Sequence, residues 1–115
     1  MASHKGLKVW QESMDLVVSV YETASFFPKE EVYGLTSQIK RAAVSIPSNI
    51  AEGAGRQSKA EFIRFLYIAL GSASELEIQL ELAFRLGFIA DLSTFQTKMN
   101  YIKSMLSSLI KSQKN

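Results

Sequence analysis

The chain has 115 residues and sets 13 Lys and Arg against 11 Asp and Glu, for a net charge of +2. With 47% hydrophobic and 21% charged residues it falls among folded globular chains and outside the disordered class; its length suits one domain, residues 1–115, with its own core. It has no cysteine, which excludes disulfides, thiolate metal sites and a cysteine nucleophile and agrees with a reducing compartment.

No apolar run approaches the roughly 18–20 residues that cross a bilayer, and the opening MASHKGLKVWQES lacks the apolar core of a signal peptide. The expectation is a cytoplasmic protein with no membrane partner. Two prolines and six glycines leave long uninterrupted segments, which favours helices.

The first helix is expected over about residues 8–26. Leu7, Trp10, Met14, Val17, Tyr21 and Ala24 recur at helical spacing, the stripe of a packed helix, and Val9, Leu16 and Val20 widen it. Phe27 and Pro28 close it, because the residue before a proline avoids the α region.

The second helix follows Gly34, over about residues 35–52. Leu35, Ile39, Ala42, Ile46 and either Asn49 or Ile50 keep the rhythm, and Thr36 or Ser37 is placed to cap it. Pro47 lies inside it, where a proline loses one hydrogen bond and clashes with the preceding turn, at about 3 kcal/mol. A bend is therefore expected there. Gly53-Ala54-Gly55 stops the helix, glycine accepting the left-handed conformation common past helix ends. Pro47, Asn49, Glu52, Gly53 and Gly55 read as a structural turn. Glu52 stands at a helix C-terminus, where the dipole disfavours an acid, so Arg56 or Arg41 is expected to pair with it.

The third helix, about residues 59–86, opens on the capping-box pattern Ser58-Lys59-Ala60-Glu61. Phe62, Leu66, Ala69, Ala73, Leu76, Leu80 and Ala83 form a heptad seam, and Gly87 ends the helix. Its opposite face carries a second regular series, Ile68, Gly71, Glu75, Ile78 and Leu82, flanked by Arg64, Arg85 and Tyr67. Scattered surface hydrophobes are ordinary, but this spacing makes a homo-oligomer interface the expectation. The fourth helix, about residues 93–111, begins near Asp91 or Ser93. Leu92, Phe95, Met99, Ile102, Leu106 and Leu109 make its stripe, and the polar tail from Ser112 is expected to fray.

Short connections make neighbouring helices antiparallel. Four amphipathic helices with heptad seams predict an all-α, up-down-up-down four-helix bundle.

Candidate chemistry is sparse. His4, the only histidine, falls in an N-terminal arm expected to be mobile, whereas a catalytic histidine needs fixed geometry. The inward Glu-x-x-His motifs of a di-iron bundle are missing. Gly53-Ala54-Gly55-Arg56 precedes a helix but lacks the strand and the Lys-Ser/Thr ending of a phosphate-binding loop. No catalytic residue, metal or cofactor is expected. Cations do cluster: Lys40, Arg41, Arg56, Lys59 and Arg64 in the middle of the chain, and Lys98, Lys103 and Lys111 on the fourth helix. These are the candidate phosphate contacts for RNA or DNA.

The segments LKVWQESMDLVVSVY, FPKEEVYGLTSQIKRAAVSIPSNIAEGAGRQS, EFIRFLYIALGSASELEIQLELA and RLGFI, in order from Leu7 to Ile89, resemble the four-helix bundle proteins encoded in intervening sequences of bacterial 23S ribosomal RNA genes. The resemblance implies a left-handed up-down bundle and a ring-shaped homopentamer. That family is in turn similar to accessory proteins of diversity-generating retroelements, pentameric bundles with basic surfaces that bind nucleic acid, which implies RNA or DNA as a partner here. The resulting expectation is a non-enzymatic oligomeric accessory protein that binds nucleic acid. The alternative is a protein-interaction or structural module with no nucleic-acid ligand.

Overall fold

Helical periodicity carries nearly the whole chain in the computed structural model, which describes residues 3–115. Four helices follow one another: α1 (Lys8–Ala24), α2 (Leu35–Ala54), α3 (Lys59–Arg85) and α4 (Ser93–Lys114). Short 3-10 turns precede α1 at His4–Gly6 and α2 at Lys29–Glu31. The described residues contain no strand. Met1 and Ala2, part of the N-terminal stretch read above, lie outside them. Helix α4 runs through the polar tail to Lys114, where Ser112 Oγ donates to the Leu109 carbonyl at 2.9 Å.

The buried seam of α3 is the one its heptads predict: Phe62, Leu66, Ala69, Ala73, Leu76, Leu80 and Ala83 all face inward. In α1 the buried line is Val9, Ser13, Leu16, Val20 and Ala24. Leu7, Trp10 and Val17 sit at its margin, while Met14 (41% exposed) and Tyr21 (44%) point outward. The helix is thus rotated relative to the expected stripe. The pivot is Ser13, fully buried, whose hydroxyl donates to the Trp10 carbonyl at 2.8 Å. A small serine with its hydroxyl satisfied occupies a core position at little polar cost. In α4, Met99, Ile102, Leu106 and Ile110 are buried.

Helix ends show how local chemistry acts. At the start of α2 neither Thr36 nor Ser37 caps. The N-cap is Gly34, and Glu31 Oε1 accepts from Leu35 N at 3.3 Å. Thr36 is buried, and its Oγ1 has no partner among the described residues. Ser58 caps α3, accepting from Glu61 N at 3.1 Å. Glu61 turns forward to Arg64 at 3.0 Å rather than back to close the box. Helix α3 ends in a Schellman turn: Phe88 N donates to Ala83 O at 2.8 Å and Gly87 N to Phe84 O at 3.0 Å, with Gly87 at φ +83°.

Gly53 and Gly55 work differently from expectation. Neither has positive φ, and Gly55 is right-handed at φ −82°. Gly53 is needed for close approach: a Cβ there would lie 2.7 Å from Phe65 Cβ and 3.0 Å from Phe62 Cδ1. Helix α2 continues without interruption across the buried Pro47. Asn49 Nδ2 spans the proline turn, donating to the Ser45 carbonyl at 2.8 Å and to Ser45 Oγ at 2.9 Å. The carbonyl that a proline at 47 leaves without its helical donor is that of Ala43, so Asn49 clips the turn rather than replacing the missing bond.

Consecutive helices pack side by side, and α4 closes back on α1. The diagonal pairs α1–α3 and α2–α4 bring no Cα atoms within 8 Å of each other and face one another across the shared core. Along α2 and α3 the contacts run in opposite order: Gly53 meets Phe62 and Phe65, and Ser45 Oγ meets Ser72 Oγ at 2.8 Å. Along α3 and α4, Tyr67 meets Lys114 and Glu77 meets Lys103. The molecule is a rod of 44 × 24 × 19 Å.

Candidate interaction surfaces

One end of the rod gathers cations from every helix. Arg56, just past α2, and Arg64, in the second turn of α3, converge on the Phe65 ring at 5.0 and 4.5 Å. Tyr67 brings in the end of α4, its hydroxyl accepting from Lys114 Nζ at 2.9 Å. Lys111 lines the same groove beside Tyr67 and Leu70. Lys8 lines a groove with Ser108 and Ser112 of α4, and Lys5 precedes it in a turn that touches α1 and α2. Lys59 opens α3.

Two carboxylates at this end are already engaged. Glu52 pairs with Arg56 at 3.4 Å, as expected of it, and Glu61 with Arg64 at 3.0 Å. The hydrogen bond from Arg64 holds the Glu61 carboxyl below the usual carboxylate range, with the Arg64 and Arg56 charges adding to it against partial burial. Lys5, Lys8, Lys59, Lys111 and Lys114 are exposed, with no carboxylate within 4 Å among the described residues.

Of the eight cations picked from the sequence, Arg56, Lys59, Arg64 and Lys111 therefore meet at this end. Lys40 and Arg41 lie farther along α2, with Lys40 Nζ 4.8 Å from the centre of the Tyr21 ring. Lys98 is tied to Glu12 on α1, and Lys103 to Glu77 on α3 at 3.0 Å. Lys5, Lys8 and Lys114 were missed as partners of the cluster. Periodicity finds a helix face, but it does not say which cations on it meet a carboxylate of a neighbouring helix.

The outer face of α3 is a second surface. Tyr67, Ile68, Ile78 and Leu82 are exposed, Ile78 at 65%, and Gly71 and Glu75 stand exposed among them. At its flanks Arg64 is paired with Glu61, and Arg85 with Glu81 at 3.0 Å. Ile78 and Leu82 also line a groove of about 410 Å3 against α4, where Leu92, Phe95 and Met99 contribute.

His4 is not loose: its ring packs edge-on to Trp10, 4.9 Å between centroids. Among the described residues no three His, Asp or Glu side chains are grouped to hold a metal ion. No described helix is long and apolar enough to cross a membrane.

The sequence from residue 5 to 108 matches the model of the family described as 23S rRNA-intervening sequence protein. The chain belongs to this family. A similar solved structure is that of a protein of unknown function from the S23 ribosomal protein family of Bacteroides thetaiotaomicron VPI-5482. It is 33% identical, superposes with a TM-score of 0.82, and the match covers 90% of this chain and 95% of that one. No curated protein matches significantly. The chain thus shares the fold of this relative over nearly its full length.

Proposed function

We propose that this chain is a non-enzymatic, cytoplasmic homo-oligomer that binds RNA or DNA through the cationic end of its bundle. The observation that carries the reading is the set of five exposed lysines, Lys5, Lys8, Lys59, Lys111 and Lys114, without carboxylate partners. Arg56 and Arg64 stand over Phe65 beside them. Such a surface suits phosphates, whose neutralisation releases counterions. A net charge of only +2 is compatible with it, because the charge is distributed unevenly along the rod. The opposite order of contacts along neighbouring helices supports an up-down-up-down frame; its left-handed sense and a pentameric count come from the family resemblance.

The test is fluorescence anisotropy with a structured RNA and a DNA duplex across a salt series. Binding is expected at about 50 mM salt and is expected to weaken by orders of magnitude at about 200 mM. Replacing Lys59, Lys111 and Lys114 together by Ala is expected to make the slope of log K against log salt shallower by about 2–3. Absence of binding to both probes at low salt rejects the reading.

The apolar groove beside Ile78 and Leu82 favours the second reading, a module that recruits a protein. One stoichiometric, nuclease-insensitive protein partner in a pull-down, with no nucleic-acid binding, would establish it instead.

A further inference from the structure

Duplex and single-stranded nucleic acids offer the same phosphates but different parts of their bases. In a duplex the base faces are stacked on one another and only edges reach the grooves; an unpaired base also offers its flat π face. Lysines alone favour the duplex, whose charge is denser. An exposed aromatic ring among them favours the single strand. The cationic end of the rod holds such a ring in Tyr67.

Tyr67 is 48% exposed. It turns toward α4, where its hydroxyl accepts from Lys114 Nζ at 2.9 Å and the same nitrogen lies 5.3 Å from the ring centre. With Leu70, Ser107, Ile110, Lys111 and Lys114 it lines a groove of about 200 Å3. Ile110 is buried and Leu70 half-buried, so the groove combines an apolar lining, an aromatic ring, a hydroxyl and two lysines. The charge around it has one sign. Helix α4 carries four lysines and no acid. From Phe62 to Ser74 the one charge on α3 is Arg64, and the acid before it, Glu61, is held by that arginine at 3.0 Å. On α1, Glu12 is tied to Lys98. The other tyrosines lack this setting: Tyr101 shares a groove with Glu12, Tyr33 follows Glu30 and Glu31, and Tyr21 stands by Lys40, farther along the rod.

We propose that Tyr67 stacks one unpaired base while Lys111 and Lys114 meet the phosphates on either side of it, so that the cationic end takes single-stranded nucleic acid in preference to duplex. The two lysines are three residues apart on one face of α4, about 5–6 Å between Cβ atoms. Neither has a carboxylate within 4 Å among the described residues. Every base has a π face, so the preference is for strand state and not for sequence. The inference rests on the nucleic-acid reading above and names the form of ligand which that site takes.

The test is fluorescence anisotropy with a labelled oligothymidylate, which does not pair with itself, and a labelled DNA hairpin with the same number of phosphates. Both are measured across a salt series on the wild-type chain, Tyr67→Leu and Tyr67→Phe. The wild type is expected to bind the single strand more tightly than the hairpin. Tyr67→Leu keeps apolar bulk but loses the π face. Its affinity for the single strand is expected to fall roughly five- to a hundredfold, with the salt slope unchanged because no phosphate contact is removed. Tyr67→Phe keeps the ring and loses the hydroxyl contact to Lys114, and is expected to bind as the wild type does. A wild type that binds the hairpin as tightly as the single strand overturns this inference, without recourse to any variant; so does a Tyr67→Leu variant that binds the single strand as tightly as Tyr67→Phe. A wild type that binds neither probe at low salt overturns the nucleic-acid reading itself.

Discussion

Gly53 shows how a single residue can be recognised as special for the wrong reason. A glycine after a helix suggests a left-handed turn, and that role belongs to Gly87 instead, at φ +83° with open space around it. Gly53 is inside α2 and buried, where its missing Cβ lets α2 and α3 close on each other. Gly53→Ala is therefore expected to destabilise the fold by about 1–3 kcal/mol, the range for overpacking, as a lower midpoint in urea denaturation. An unchanged midpoint would mean that Phe62 and Phe65 yield freely. Ser13 is the converse case. Its polarity hides a core position in the pattern, and only the hydrogen bond to the Trp10 carbonyl shows why it is tolerated there.

At the scale of elements, α3 was legible because its apolar residues are unambiguous and its seam is long. The face of α1 was not, since apolar residues occupy more than half its circumference and either of two stripes satisfies the period. Burial then depends on the neighbours: α2 and α4 take Val9, Leu16 and Val20 inward and leave Met14 and Tyr21 outside. Helix α2 runs on through Pro47, where Asn49 clips the turn through Ser45 and Ser45 meets Ser72. The outer face of α3 gives a prediction with the opposite sign to that at Gly53. Gly71 is exposed within the helix, and a Cβ there meets nothing within 4 Å. Gly71→Ala is expected to stabilise the chain by about 0.5–1 kcal/mol through reduced backbone entropy, as a higher denaturation midpoint. A loss of stability there would count against an open face.

For the molecule as a whole, charge arrangement matters more than charge total. Glu12 and Lys98, 86 residues apart, tie α1 to α4. The hydrogen bond from Lys98 holds the Glu12 carboxyl below its ordinary value of 4.5, helped by the Lys98 and Lys8 charges and opposed by burial. The folded chain thus binds this proton less readily than the unfolded chain. The resulting stabilisation is complete above about pH 4.5 and is lost as pH falls through the lowered value. Glu12→Gln is expected to lower the urea midpoint at neutral pH and to flatten its decline in acid. Glu61, hydrogen-bonded by Arg64, and Asp91, accepting from Ser93 N, are lowered too and leave a residual slope. Parallel acid profiles for variant and wild type would show that the pair contributes nothing.

The sequence by itself determined the four helices, the α3 seam and the family. These depend on residue order within single segments, where helical periodicity is a local property. It also identified Arg56, Lys59, Arg64 and Lys111, but as separate runs along the chain. Only the tertiary structure decided that Lys5, Lys8, Lys59, Lys111 and Lys114 have no carboxylate partner among the described residues, while Lys98 and Lys103 are engaged across helix seams. Such juxtapositions depend on which helix ends meet and how far each helix is rotated, and packing fixes both among residues far apart in the chain.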